Sequence, residues 1–105
     1  MEPIAGLYWN YYTGEEEAMP EIEVGKVSDY FARPMVAGVD LIRGLKTGDR
    51  IHILGHTTDL EMDVASMQIN HQDIAEAKAG DAVGLQVPER VRPGDTVYAV
   101  YTVMP

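Results

Sequence analysis

Apolar side chains alternate with polar ones along most of this chain, which is the pattern of strands that bury one face. In residues 50–54 (RIHIL), Ile51 and Ile53 alternate with the polar Arg50 and His52. Strands separated by turn residues, without a long helical period, predict a small all-β domain. Five further segments share the period of two and are predicted as strands: residues 21–27, 35–42, 60–69, 81–87 and 96–103.

Two of these strands interrupt their own alternation. Val27 stays on the face of Ile22 and Val24 only if a β-bulge lies at Gly25. In residues 60–69 the apolar positions change parity near the middle of the segment. The change of parity predicts a bulge or a sharp bend, which barrels use to turn a strand around a corner.

Residues 71–80 (HQDIAEAKAG) form a stretch in which the apolar residues could belong to a helical turn. The stretch is too short for a stable helix, and Gly80 ends it. We therefore predict a loop that contains at most one helical turn.

The dipeptide Gly-Asp occurs at residues 48–49, 80–81 and 94–95, each time before a strand pattern. Glycine takes positive φ without a steric penalty, which suits the later central position of a type II turn. Aspartate can accept backbone N–H bonds from its neighbours and so stabilise the turn. These sites predict three turns whose aspartates are structural and not catalytic.

Composition limits the function classes. The chain has 105 residues, enough for one domain, and 46% of them are hydrophobic, enough for a core. Its formal charge is −9, from 8 basic and 17 acidic residues, which argues against broad nucleic-acid or anionic-membrane binding. Cysteine is absent, so thiolate chemistry and disulfides are excluded. With no long apolar segment and no leader-like start, the chain is expected to be soluble and cytoplasmic.

The first 20 residues differ from the rest in composition. Residues 4–12 (IAGLYWNYY) concentrate aromatic rings, and residues 13–18 (TGEEEA) are acidic. We predict an N-terminal extension over residues 1–20 and a barrel domain over residues 21–105. Because exposed rings are costly in water, the extension is expected to dock on the barrel; a disordered tail is the alternative.

Residues 55–59 (GHTTD) hold the densest polar cluster in the chain. As a catalytic site, His56 would act as a base that Asp59 orients. As a hairpin loop, Thr57, Thr58 and Asp59 would instead cap backbone N–H groups. The absence of a nearby nucleophile favours the loop, and we predict a partner contact through these four side chains.

Residues 89–95 (ERVRPGD) form the one basic spot, where Arg90 and Arg92 share a side if the segment is extended. Both arginines are predicted as partner-binding residues. The three histidines lack a metal-ligand spacing, so no metal site is predicted. We likewise expect no cofactor and no enzymatic activity.

Four segments together closely resemble the second domain of translational GTPases such as elongation factor Tu. The family's A-x-A-G-D-x-V-G turn is matched by residues 77–84 (AKAGDAVG), and Gly94-Asp95 marks its closing strand. Among such proteins, the chain most resembles the small stand-alone translation elongation factor-like proteins, which carry this barrel alone. The four segments are residues 24–31, 45–55, 64–87 and 91–100.

The resemblance implies a closed barrel of about six strands with Greek-key connections. It does not imply GTPase activity, because the chain lacks the G-x-x-x-x-G-K-[ST] phosphate loop. Our leading hypothesis is a non-enzymatic module that docks on a protein or ribonucleoprotein partner in a translation-related context. The alternative is an accessory or substrate-binding barrel, similar to the C-terminal domain of collagenase-like peptidases, that prefers peptide segments.

Overall fold

A computed structural model describes residues 21–100 of the chain, and the predicted docking of residues 1–20 lies outside them. No helix of the described part is long and apolar enough to cross a membrane. The described residues form ten strands: β1 Glu21–Phe31, β2 Val36–Leu41, β3 Leu45–Lys46, β4 Arg50–Leu54, β5 Asp59–Asp63, β6 Met67–Ile69, β7 Gln72–Ile74, β8 Glu76–Ala77, β9 Ala82–Gln86 and β10 Thr96–Val100. The prediction of a small all-β domain is confirmed.

Eight strands form one antiparallel sheet in the order β5-β4-β10-β1-β2-β9-β6-β7, and β3 pairs with β8 in a second sheet. Across residues 21–100 the large sheet is open, with β5 and β7 at its edges. The predicted closed barrel of about six strands is therefore not confirmed. An alternating pattern reports where strands are, but it carries no information about whether the edges meet.

The predicted loop at residues 71–80 is wrong, because β7 and β8 both lie in it. Strand β7 pairs with β6 through a two-residue connection, Asn70 and His71, whose φ angles are 53° and 65°. Two successive positive φ angles are typical of a type I′ hairpin turn. Pairing with a neighbouring strand, and not local propensity, makes this segment extended.

The core consists of the inward positions of the strands. Ile51, Ile53, Met67 and Leu85 are its largest fully buried side chains. The change of parity in residues 60–69 corresponds to a break, because β5 ends at Asp63 and β6 begins at Met67 beside another strand. Both segments thus bury their apolar side chains in the same core.

The bulge predicted at Gly25 is confirmed. The register between β1 and β10 shifts between Glu23 and Gly25, and Val24 and Val27 are both buried. A Cβ atom at position 25 would lie 2.5 Å from the carbonyl oxygen of Asp40, so only glycine fits. Ile22, expected on the same face, is 38% exposed instead.

The three Gly-Asp sites form the same turn, as predicted. Gly48, Gly80 and Gly94 have φ angles of 94°, 96° and 97°. At each site the aspartate N–H donates to the carbonyl three residues earlier, at 3.0–3.1 Å. The aspartate carboxylate in return accepts the N–H of that earlier residue: Lys46 at 3.0 Å, Lys78 at 2.9 Å and Arg92 at 2.8 Å.

We predict that Gly80→Ala lowers the free energy of unfolding by about 1–2 kcal/mol, the cost of a Cβ atom in the left-handed region. No heavy atom lies within 4 Å of the position that the added methyl group would take, so the loss is conformational and not a clash. Urea unfolding with an unchanged m-value measures it. Gly44→Ala, where φ is not positive, is the control; an equal loss there would contradict the explanation.

Candidate functional site

The residues predicted at positions 56–59 lie in and beside the tight loop between β4 and β5. The N–H of Gly55 donates to the carbonyl of Thr58 at 2.8 Å, which closes the loop. Thr58 is buried, whereas His56 and Thr57 are exposed. The loop thus presents two of the four polar side chains at its tip, while Asp59 begins β5.

This loop packs against the last Gly-Asp turn, in an arrangement we name the loop contact. The Nε–H of Arg92 donates to Thr57 Oγ1 at 2.9 Å. Asp95, which is 5% exposed, lies against Gly55 so closely that a side chain at position 55 would overlap its carboxylate. Two predicted residues that are 35 positions apart in sequence, Thr57 and Arg92, therefore meet on one surface.

Arg90 does not join Arg92 in this contact. Its guanidinium lies over the ring of Tyr30, 5.7 Å from the ring centroid, which is a cation–π arrangement. Residues 87–95 form no strand, so the extended geometry that would have aligned the two arginines is absent there. Each arginine instead contacts a different element, β1 in one case and the β4–β5 loop in the other.

The disfavoured catalytic alternative, in which Asp59 orients His56, is not supported. Asp59 contacts His52, whose Nε2 lies 2.6 Å from Asp59 Oδ1. The other ring nitrogen, Nδ1, lies 2.8 Å from Glu21 Oε2. Strand β4 lies between β5 and β10, and the fold places His52 between the carboxylates of Asp59 on β5 and Glu21 on β1; we name this group the histidine clamp.

The histidine clamp favours the charged imidazolium. Ionised carboxylates only accept hydrogen bonds, so two such contacts require both ring nitrogens to donate. Burial lowers the pKa of His52, but the hydrogen bonds and charges of Asp59 and Glu21 outweigh it and raise the pKa above the ordinary 6.5. The His52 side chain is 18% exposed, whereas that of Asp59 is 77% exposed, so water reaches the clamp from the carboxylate side.

The surroundings of the histidine clamp contain further charges. On β5, Glu61 is the cross-strand partner of His52, and its carboxylate lies 3.8 Å from Arg50. On β10, Tyr98 lies opposite, with its ring centroid 6.5 Å from the imidazole. The clamp joins the first residue of β1 to β4 and β5, which is a structural role.

A groove with a volume of about 540 Å³ lies across the outer face of β1, β2, β9 and β6. Its floor contains Gly38 and Gly84, which are opposite each other on neighbouring strands. We name it the outer groove. Its lining includes Asp29, Phe31, Arg33, Gln68, Asn70 and His71. The sequence-based prediction missed it, although two mid-strand glycines at outward positions were an available signal.

Among residues 21–100, no group of three His, Cys, Asp or Glu side chains is arranged to hold a metal ion. The outer groove and the loop contact also differ in chemistry. The outer groove is concave and partly apolar, like most ligand sites, whereas the loop contact is a packed surface between two turns. The structure therefore offers the outer groove as its candidate binding site.

Comparisons with known proteins identify relatives among proteases. The chain is 43% identical over 86 residues to an uncharacterized protease of Methanocaldococcus jannaschii, and 34% identical over 92 residues to a collagenase of Porphyromonas gingivalis. These matches cover 81% and 86% of this chain but only 21% and 22% of the relatives. The chain thus spans about a fifth of the length of the curated relatives it matches. No protein-family model matches it.

Solved structures with the same fold include the C-terminal domain of a U32 peptidase from Geobacillus thermoleovorans. One structure of that domain has a TM-score of 0.69, with 75% of this chain and 91% of that chain covered. Its selenomethionine variant has a TM-score of 0.68 and covers 71% and 95%, respectively. Sequence identity is only 16% and 15%, so the likeness concerns the fold.

These findings overturn the assignment to translation elongation factor-like proteins and to a translation-related partner. The relatives are a protease and collagenases, and the structural neighbours are peptidase domains. The Gly-Asp turns that carried the resemblance are conformational devices, which any small β domain of this architecture can use. The alternative hypothesis, a barrel similar to the C-terminal domain of collagenase-like peptidases, agrees better with the comparisons.

We predict that the histidine clamp makes stability fall as pH rises. Because the folded pKa of His52 is raised above 6.5, its contribution is complete below about pH 6.5 and is lost as pH rises through the folded value. The difference in urea midpoint between the wild type and His52→Gln, measured from pH 5.5 to 9, should therefore shrink with pH. An NMR titration that placed the His52 pKa below 6.5 would contradict this explanation.

We also predict that Gly55→Ala destabilises the domain by about 1–3 kcal/mol, the usual cost of overpacking. The added methyl group would overlap the buried Asp95 carboxylate. Urea unfolding of Gly55→Ala, Asp95→Ser and the double variant tests the cause. The shorter serine should relieve part of the overlap, so the double variant should lose less stability than the sum of the single variants. Strictly additive losses of unfolding free energy would contradict the overlap as the cause.

Proposed function

We propose that this chain acts as an accessory, polypeptide-binding domain of the U32 peptidase type, through binding and not through catalysis. The observation that carries the proposal is the identity of 43% to a protease over a segment that makes up only 21% of that protein. A match confined to one segment is what a separable domain produces. The fold shared with the C-terminal domain of a U32 peptidase supports the same conclusion.

The described surface supports a binding role. The outer groove lies within the roughly 300–1,000 Å³ range of ligand sites and combines an exposed aromatic ring with convergent polar groups. The collagenase relatives are named for a polypeptide substrate. A domain that holds an unfolded segment of such a substrate would raise its concentration near a catalytic domain.

The predicted partner residues keep a role in this proposal. His56 and Thr57 are exposed at the loop tip, and Arg92 is fixed beside them by its bond to Thr57. Asp59 and Arg90 are exposed as well, but Asp59 contacts His52 and Arg90 lies over Tyr30. We infer that this surface contacts the catalytic part of a peptidase. Thr58 is buried and instead closes the loop through its carbonyl group.

We also infer that the domain is barrel-like in three dimensions. The N–H of Thr47 donates to the carbonyl of Ala75 at 2.9 Å, and the N–H of Gly48 donates to that of Val64 at 2.8 Å. These bonds link the end of β3 to the chain after β5 and after β7, the two edge strands. A barrel-like core would keep the outer groove rigid while a ligand binds.

The proposal predicts that the full chain binds unfolded polypeptide without cleaving it. Immobilised protein should bind gelatin at least about tenfold more tightly than native serum albumin, a difference of about 1.4 kcal/mol, in biolayer interferometry. Gel electrophoresis of the gelatin should show no fragments, because the domain is proposed to bind only. Equal binding of gelatin and albumin would contradict the polypeptide-binding role, and gelatin fragments would contradict its restriction to binding.

A further inference from the structure

The two glycines in the floor of the outer groove are not required by the backbone. Neither Gly38 nor Gly84 has a positive φ. A Cβ atom would lie 3.3 Å from Ser28 Oγ at position 38, and 3.2 Å from Val36 Cγ1 at position 84. Both contacts involve side-chain atoms, which would have to move by a few tenths of an ångström. This contrasts with Gly25, where the obstacle is a backbone oxygen at 2.5 Å.

Glycine inside a strand weakens the sheet by roughly 0.5–1 kcal/mol relative to alanine, because it adds chain entropy to the unfolded state. Two such positions directly opposite each other combine these costs. Glycines of this kind commonly mark a place where a ligand or another backbone approaches the sheet closely. The bare floor is therefore consistent with a ligand whose own backbone lies against the strands.

The walls of the outer groove supply the groups that such a ligand needs. Phe31 is 53% exposed, although it is large and apolar. Asp29 can accept N–H bonds, and Asn70 can bond to peptide groups in both directions. Asn70 and His71 form the type I′ turn at one wall of the groove, where both have a positive φ. These groups match the alternating donors and acceptors of an extended main chain.

The charge of one lining residue indicates which ligand side chains the outer groove prefers. Arg33 lines the outer groove and forms no ion pair within residues 21–100, whereas Lys26, Lys46 and Arg50 each do. On a chain with a net charge of −9, this guanidinium is a local positive site. Arginine binds carboxylates through paired N–H groups, so it would select an acidic side chain.

We propose that the outer groove binds an extended polypeptide segment, with an apolar side chain against Phe31 and a carboxylate side chain on Arg33. The ligand backbone lies over Gly38 and Gly84. This inference rests on the proposed function, since it names the site and the ligand class through which the domain would bind its substrate. It assigns that role to a sheet face and not to the loop contact.

The test uses two fluorescein-labelled ten-residue peptides and fluorescence anisotropy. One peptide repeats Leu-Pro-Glu, where proline keeps the chain extended, and the other has lysine in place of glutamate. Phe31→Ala and Arg33→Glu remove the two anchors, and Ile42→Ala and Lys78→Glu are matched controls. Ile42 is 57% exposed, and both control residues lie outside the lining of the outer groove.

We expect the wild type to prefer the glutamate peptide, and each groove variant to bind it at least about fivefold more weakly. The controls should stay within about twofold of the wild type, and Arg33→Glu should reverse the preference between the peptides. Gly38→Leu, which would fill the floor, should also weaken binding. Circular dichroism and urea unfolding confirm that each variant is folded.

Three results would overturn the inference in distinguishable ways. If the peptide or gelatin binds but the groove variants bind like the controls, the site is wrong and the proposed function stands. Binding of gelatin without binding of either peptide would overturn the ligand class alone. If the wild type binds neither peptide nor gelatin, the proposed function fails together with the inference.

Discussion

The whole sheet depends on the close approach of β1 to the backbone of β2 at Gly25. This residue pairs with Val97 of β10 and with Leu41 of β2 at once, so it joins the two halves of the eight-stranded sheet. Register shifts on either side of it bend β1 between its two partners. Any side chain at this position would collide with the carbonyl oxygen of Asp40 and disturb the pairing of β1 with β2.

The glycines of the described part differ in the reason why glycine is needed. Some are required by the backbone or by a close neighbour, and others lie in the proposed binding site. Three have a positive φ in Gly-Asp turns, and Gly25 and Gly55 leave room for an oxygen atom of a neighbour. Gly38, Gly44 and Gly84 meet neither requirement, and of these Gly38 and Gly84 face each other on neighbouring strands. Residues that lower the stability of a sheet without a structural role are expected at a binding site.

Local features could be read from the sequence, whereas contacts between distant residues could not. The Gly-Asp turns were predicted because glycine and aspartate act within four residues, and the bulge at Gly25 because it restores a period of two. The histidine clamp joins residues 31 positions apart, and the loop contact joins Thr57 to Arg92 across 35. The disfavoured catalytic alternative placed Asp59 beside His56, its neighbour in sequence, whereas strand pairing places Asp59 beside His52.

The order of amino acids was sufficient for the all-β class, the inward faces of the long strands and the three turns, because side-chain alternation and turn chemistry are local. Only the folded chain shows that residues 71–80 contain strands, that the large sheet is open and that a groove crosses four strands. These properties depend on which strands become neighbours. That choice is made by burying the shared core of all the strands together, so no single segment encodes it.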